Sequence, residues 1–575
     1  MLQPNILEKR FASVTEEKST GATYTPIELA DFVAEKIVEE FQVSPGKTIH
    51  ILDPAAGEGE LLLSLLSKLT VPLTTKIIVH GFDTNSRALN RTKARISQAF
   101  PIIQTRLYPS DFLEFAFSTY EDRVGLFSDS VIPKKFDLII ANPPYVRTQI
   151  MGADKSRKLS QNSGLSGKID LYHVFLAGIA QVLDSKGRAG IIVSNRFMTT
   201  KGGGSLRELL REKFRLRHVW DLGDTKLFNA AVLPAVILAE GISDSTSKTE
   251  ILFSTIYETR ETSQALADSP IAALAMQGIV SLTDGRNFKV EHGLLDTTGK
   301  DSLWRIATAK SDAWLAIVKS HTWGAFRDIG KIRVGVKTCA DKIFIRSDWG
   351  APEDQPELLR PLTTHHNSRR FRPKDSKKSS AILYPHEVVQ AQRRASDLDL
   401  YPKTKAYLER HREKLEDRSY VIEGGRKWYE LWVPQDPEAW AAPKLVFRDI
   451  SEKPTFWLDL EGTVVNGDCY WLTPLNKTDE HLLWLAAAVA NSTFIEAFYD
   501  HRFNNKLYAG RRRFITQYVE QFPLPNPSSL IAQEITALAK VAYNTSSSSE
   551  LEAIEAKIDT MVWQAFGLDS EETTR

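Results

Sequence analysis

The residues Asn142-Pro143-Pro144-Tyr145 are the grouping in this chain whose types and spacing most directly suggest chemistry. They follow the apolar run Phe136-Asp137-Leu138-Ile139-Ile140-Ala141, which reads as a short buried strand. Proline has no N–H for a ladder and keeps the residue before it out of the helical region, so the strand stops there and Asn142 is held at its carboxyl end. An exocyclic amino group on an aromatic ring is planar and weakly nucleophilic, because its lone pair is delocalised into the ring. The Asn142 side-chain oxygen and the Pro143 carbonyl, fixed by the rigid turn with Pro144, can accept both amino hydrogens. That draws the nitrogen toward tetrahedral geometry and frees its lone pair. Tyr145 can then stack on the ring. A rigid loop with Tyr145 as ordinary packing fits the same four letters, so the neighbouring motifs decide.

Elements on either side must position this group. Thr25-Pro26 precedes the helical pattern Ile27, Leu29, Ala30, Val33, Ile37, Val38 and reads as a cap followed by a first-turn proline, a helix start that favours a bound carboxylate. His50 to Leu62 reads as strand, glycine turn and helix, with Asp53-Pro54-Ala55-Ala56 at the strand end and Gly57 and Gly59 allowing close approach of a ligand. The third glycine of dinucleotide sites is missing, and Glu58 and Glu60 would repel a pyrophosphate. A cationic centre, such as the sulfonium of S-adenosylmethionine, suits this turn better. A second strand ends in Asp83, spaced to accept ribose hydroxyls, and a third unit ends in Asp111-Phe112, suited to an adenine amino group and ring face. The alternation predicts an α/β fold, a doubly wound, Rossmann-like parallel sheet with its ligand residues at the strands' carboxyl ends.

Residues 147–168 are polar and read as a mobile, lid-like or DNA-facing loop. A helix from Asp170 carries His173, read as a satisfied partner rather than a catalyst, and Phe175. A buried strand over Gly187–Asn195 and two more over His218–Leu222 and Leu233–Leu238 follow, with Phe228 just before the last.

In this order the motifs resemble the gamma-order, TaqI-like adenine-N6 DNA methyltransferases of type II-like restriction–modification systems. The resemblance runs from Thr25-Pro26 through Asp53 to Gly59, Asp83, Asp111-Phe112, Asn142 to Tyr145, Phe175 and Phe228, and covers about the first 240 residues. It implies an S-adenosylmethionine cofactor. Thr25 would lie near its methionine carboxylate. Asp53, Pro54, Ala55, Gly57 and Gly59 would hold the methionine half, Asp83 the ribose, and Asp111, Phe112 and Phe175 the adenine. Phe228 would face Tyr145 across an extruded base. Ala56 stands where members often have cysteine, which matters little if backbone carries the binding. Glutamine-amide methyltransferases share the Asn-Pro-Pro-Tyr unit but are much shorter, and cytosine-N4 enzymes favour serine at the position of Asn142. A fused nuclease lacks room before Thr25, and a non-catalytic DNA-binding subunit would not need an intact cofactor series.

The second half implies, by the same resemblance, a mixed α+β target-recognition domain over 246–525, including a connecting segment at 246–325. A helical tail at 526–575 follows, read as a cap or packing element. Basic clusters that could meet double-stranded DNA are Arg369, Arg370 and Arg372; Lys377 and Lys378; and Lys506 with Arg511, Arg512 and Arg513. A solvated surface would look similar. The chain has 575 residues with 42% apolar and 25% charged content, as in soluble globular proteins. Its two cysteines leave no room for a disulfide framework or a thiolate zinc site. No secretory signal or membrane span is read, and no metal site is expected. The expectation is a cytoplasmic monomer acting beside a separately encoded endonuclease.

Overall fold

The computed structural model describes residues 25–43, 46–72, 74–118, 133–145, 160–166, 170–228, 233–242, 250–297, 304–307, 309–374, 380–503 and 511–569. The first twenty residues, most of the expected loop at 147–168, Lys377, Lys378 and Lys506 lie outside this set. The chain divides into two compact units, the first ending at Thr308 and the second beginning at Ala309.

The first unit runs α1 (Ile27–Val38), β1 (Ile49–Asp53), α2 (Glu60–Lys68), β2 (Ile77–Phe82), α3 (Ser86–Ala99), β3 (Gln104–Tyr108), α4 (Phe112–Phe117), β4 (Phe136–Ala141), α5 (Leu171–Val182), β5 (Leu183–Ser194), α6 (Gly204–Lys213), β6 (Arg215–Asp221) and β7 (Pro234–Glu240). These strands order as β3-β2-β1-β4-β5-β7-β6. The first five strands pair in parallel, and β7 lies antiparallel between β5 and β6. The chain steps outward from β1 to β3 and then returns to β4, so the direction of winding reverses between β1 and β4. Ligand crevices in such sheets open at the carboxyl ends beside that switch point. Asp53 and Asn142 stand there, one on each side.

Helices α1, α2 and α3 cover one face, burying Leu29, Val33, Leu62 and Leu65 against Ile51, Val79 and Ile140. Helices α4, α5 and α6 cover the other, burying Phe115, Leu176 and Leu206 against Leu52, Ile139 and Ile191. Every residue of β4 is buried. With both faces covered, a parallel strand reads as a continuous apolar run rather than an alternating one.

The expected boundary at 245 falls inside this sheet and is corrected by it. β8 (Leu252–Glu258) pairs in parallel with β6. β9 (Leu266–Ala267), β10 (Gly278–Leu282), β11 (Asn287–Asp296) and β12 (Arg305–Ala307) continue the same sheet outward. The segment expected as a connection therefore belongs, as far as Thr308, to the first unit and its sheet.

The second unit has the expected mixed character. Gly330–Val334, Cys469–Pro474, Lys444–Arg448 and Phe456–Asp459 form an antiparallel sheet in that order. Its helices include α7 (Glu480–Ala490), α8 (Thr493–Phe503), α9 (Leu530–Asn544) and α10 (Ser548–Ala565). The tail packs into this unit: Phe566 stacks on Phe494 at 4.2 Å, and Asp559 accepts from the backbone N–H and hydroxyl of Thr493. Among the described residues no single helix is long and apolar enough to cross a membrane.

Candidate active site

The Asn142 amide is held at both ends. Its Nδ2 donates to Thr25 Oγ1 at 2.9 Å, and the Tyr145 hydroxyl donates to its Oδ1 at 3.0 Å. Tyr145 packs against the core and meets Tyr172 edge-on at 6.0 Å, and burial raises the pKa of its hydroxyl, keeping it protonated. A carbonyl oxygen has two lone pairs, so Oδ1 can accept a further hydrogen while Tyr145 remains bonded. Thr25 departs from its expected role as a cap. Pro26 occupies the cap position of α1 with no side-chain cap bond, and the Thr25 hydroxyl serves Asn142 instead.

The glycine turn after β1 is held by its backbone and by Asp83. Gly57 N–H donates to Asp83 Oδ2 at 2.9 Å, Ala56 N–H to the Phe82 carbonyl at 2.8 Å, and Thr92 Oγ1 to the Gly57 carbonyl at 2.7 Å. Gly59 has φ +82°, and a Cβ there would stand 2.7 Å from Thr92 Cγ2, so this position excludes a side chain. At Gly57, with φ +51°, a Cβ would meet open space, which leaves the backbone approachable. The Ala56 bond is main-chain, so the absent cysteine costs the turn nothing.

The acidity of the turn has a different source from the one expected. Glu58 pairs with Arg91, and Glu60 pairs with Arg95 at 2.7 Å, so α3 neutralises both. The anionic character lies in Asp53 and Asp83. Asp53 is 1% exposed, and its Oδ1 accepts from Ala55 N–H at 3.0 Å. Burial pushes its pKa up to about 7, with Asp83 adding to the rise and the Ala55 bond opposing it. A buried carboxylate held this far above its usual range favours a nearby cation. The residues present thus fit a sulfonium-bearing cofactor.

Asp111 caps α4 through Leu113 N–H at 2.9 Å. Phe112 is 1% exposed and lies 5.7 Å from Phe175, so the two expected adenine contacts form one aromatic wall of the core. Phe228 is 7% exposed and packs with the cluster on the α1 side, whereas Tyr145 packs on the α5 side. The expectation of a satisfied His173 fails among the described residues: the ring is buried, neither nitrogen has a hydrogen-bond partner there, and burial lowers its pKa to about 4. Its neighbour is the Tyr172 ring, edge-on at 4.4 Å.

One positioning group escaped the sequence reading. Asp221, at the end of β6, accepts from the Tyr257 hydroxyl at 2.6 Å, Asn195 Nδ2 at 2.9 Å and Gly223 N–H at 3.1 Å. Asp224 accepts from Glu258 N–H at 2.7 Å. Together they pin the turn that leads to Phe228. Asp221 and Asn195 lie at visible strand ends, but Tyr257 sits in the segment taken for a connector, so nothing in the sequence joined the three.

In the second unit the basic cluster at 511–513 separates. The Arg512 side chain, 11% exposed, pairs with Asp500 at 2.8 Å and Glu496 at 3.3 Å, and Arg513 pairs with Asp449 at 3.1 Å. Arg370 pairs with Glu555 at 3.0 Å. For Arg512 the expected DNA contact is replaced by a structural one. Arg511 is exposed, Arg369 and Arg372 are half-buried, and none of the three has an ion pair among the described residues.

The chain matches known proteins along most of its length. Residues 63–228 match the Eco57I restriction-modification methylase family, and residues 396–524 match the TaqI-like C-terminal specificity domain. The type II methyltransferase M.BanIII of Aneurinibacillus aneurinilyticus is 35% identical over 576 residues, covering 96% of this chain and 98% of its own. M.BstVI of Geobacillus stearothermophilus, another type II methyltransferase, is 23% identical over 89% of this chain and 91% of its own. The ATP-dependent Type ISP restriction-modification enzyme LlaBIII, solved bound to DNA, shares the fold over 91% of this chain and 40% of its own, with a TM-score of 0.54 at 12% identity. With two family matches in series and a relative similar along almost its whole length, the chain belongs to the type II DNA methyltransferases of restriction–modification systems.

Proposed function

We propose that this methyltransferase acts on the N6 amino group of adenine in double-stranded DNA. The observation that carries the reading is the Asn142 amide, fixed between Thr25 and Tyr145 beside two prolines at the end of β4. An amide oxygen and a main-chain carbonyl at that spot suit an amino group with two hydrogens to give. S-adenosylmethionine supplies a methyl group already activated by its sulfonium. What remains for the chain is to hold, orient and exclude, and proximity provides most of the acceleration.

Asn142 Oδ1 and the Pro143 carbonyl accept the two amino hydrogens, and the nitrogen lone pair turns toward the donor. Tyr145 covers one face of the base, and Phe228 is the candidate for the other. Asp53 with the backbone of the glycine turn holds the methionine half of the cofactor, Asp83 its ribose, and Asp111, Phe112 and Phe175 its adenine. The target adenine lies inside the duplex stack and must be turned out, at a cost of a few kcal/mol. Arg369, Arg372 and Arg511 are the candidates for phosphate contact.

The test is transfer of labelled methyl from S-adenosylmethionine to unmethylated plasmid DNA, followed by separation of the product nucleosides. N6-methyladenine is the expected product, and Asn142→Ala should lose turnover while still binding cofactor. Label in N4-methylcytosine, or an Asn142→Ala enzyme of near-normal rate, would overturn the reading.

A further inference from the structure

We propose that the hairpin His386–Val389 and Gln392–Ala395 is a sequence-reading ribbon that enters the major groove of the target DNA, with Gln392 and Arg394 reading base edges. The inference rests on the reading of this chain as an enzyme of duplex DNA.

The hairpin forms a two-stranded sheet by itself. Its pairs are His386 with Ala395, Glu387 with Arg394, Val388 with Arg393 and Val389 with Gln392. Directly paired residues share a face, and faces alternate along the strand. The face of His386 and Ala395 turns into the unit: His386 is buried, and its Nε2 accepts from Leu431 N–H at 3.0 Å. On the same face Arg393 reaches Asp436 at 2.7 Å. The opposite face carries Glu387 and Val389, which are half-buried, and Gln392 and Arg394, which are exposed. The base of the ribbon is thus anchored, and its second strand presents Gln392 and Arg394 to solvent.

The turn is strained. Gln390 and Ala391 have φ +49° and +60°, a left-handed pair that two-residue hairpins normally fill with Asn and Gly. Gln435, next to the Asp436 that holds Arg393, has φ +64° and donates its side-chain amide to the Val334 carbonyl at 2.8 Å. Three non-glycine residues in this conformation therefore meet at one anchored ribbon. Strain of this kind persists where the surrounding structure holds it for a purpose.

The outer face has the chemistry of base recognition. A two-stranded ribbon fits the major groove, Gln pairs bidentately with adenine, and Arg does so with guanine. Glu387 accepts from Arg394 Nε at 3.1 Å, which fixes the fork without using its two terminal nitrogens. The arrangement is that of an arginine oriented before it meets a base.

The experiment is methylation of a DNA library randomised around the target, with modified positions read by sequencing, for the wild type, Gln392→Ala and Arg394→Ala. Each variant is expected to lose preference at one or two positions by roughly tenfold or more, with the other positions unchanged. The Gln392 side chain is exposed and has no hydrogen bond among the described residues, so Gln392→Ala carries the test even if Arg394→Ala melts early. An unchanged preference at every position in both variants, or a uniform fall across all sequences, would overturn the proposal. A wild type that methylates no library member would instead overturn the duplex-DNA reading beneath it.

Discussion

Replacing Asp53 with asparagine separates the stability of the fold from its readiness for a cation. Asp53 is 1% exposed, and burial holds its pKa at about 7 against an ordinary 3.8. Between those values the unfolded chain has released the proton and the folded chain keeps it. Stability therefore falls as pH rises through that window and stays low above it. The full penalty is at most ~4 kcal/mol at 1.36 kcal/mol for each tenfold change. An Asn side chain keeps the shape and can still accept from Ala55 N–H, but it never ionises. In urea denaturation without cofactor, Asp53→Asn should gain on the wild type as pH rises, by ~3 kcal/mol between about pH 5 and about pH 8. Calorimetric binding of S-adenosylmethionine should run the other way. Wild-type affinity should rise through about pH 7 as the carboxylate charges, and the variant should bind weakly with a flat profile. Parallel stability curves, or equal pH dependence of binding in both proteins, would refute the reasoning.

Thr25→Val should lower kcat roughly five- to tenfold, the worth of ~1 kcal/mol for one hydrogen bond to Asn142, with Thr25→Ser recovering it. A rise in KM for cofactor with kcat unchanged would return Thr25 to the carboxylate-binding role. Arg512→Ala should cost ~3–5 kcal/mol in thermal or urea unfolding, because Asp500 and Glu496 lose their buried partner. Arg511→Ala should leave stability alone and reduce the salt slope of DNA binding by about 1. Asp459→Ala should cost ~3–5 kcal/mol by stranding Lys444, whose Nζ lies 3.0 Å away with both groups buried, and by freeing the N–H groups of Glu461, Gly462 and Thr463. Equal melting of wild type and variant would show that pair to be idle.

The legible parts of this chain are those where one residue type is needed for a local reason. β4 stood out because a strand buried on both faces is apolar throughout, and Asn142 because two prolines end that strand. The glycine turn stood out because Gly59 admits no side chain. Partnerships across long stretches of sequence were hidden. Glu58 and Glu60 look like a repulsive acidic rim until α3 brings Arg91 and Arg95 to them. Arg512 looks like its neighbour Arg511 until Asp500 and Glu496 close around it. His173 sits on an apolar helix, where its ring has no hydrogen-bond partner among the described residues. β8 to β12 are short strands in a stretch with no motif, and only pairing with β6 reveals where they belong.

That pairing matters to anyone exchanging specificity between relatives. A chain cut at 245 would strip β8 from β6 and leave a row of unpaired backbone donors and acceptors along an apolar sheet, an edge that recruits other chains. It would also remove Tyr257 from Asp221 and loosen the turn that carries Phe228. Swapping at the junction of Thr308 and Ala309 keeps the sheet whole, so modular exchange in this enzyme has a seam, and it lies beyond the last strand rather than beyond the last motif.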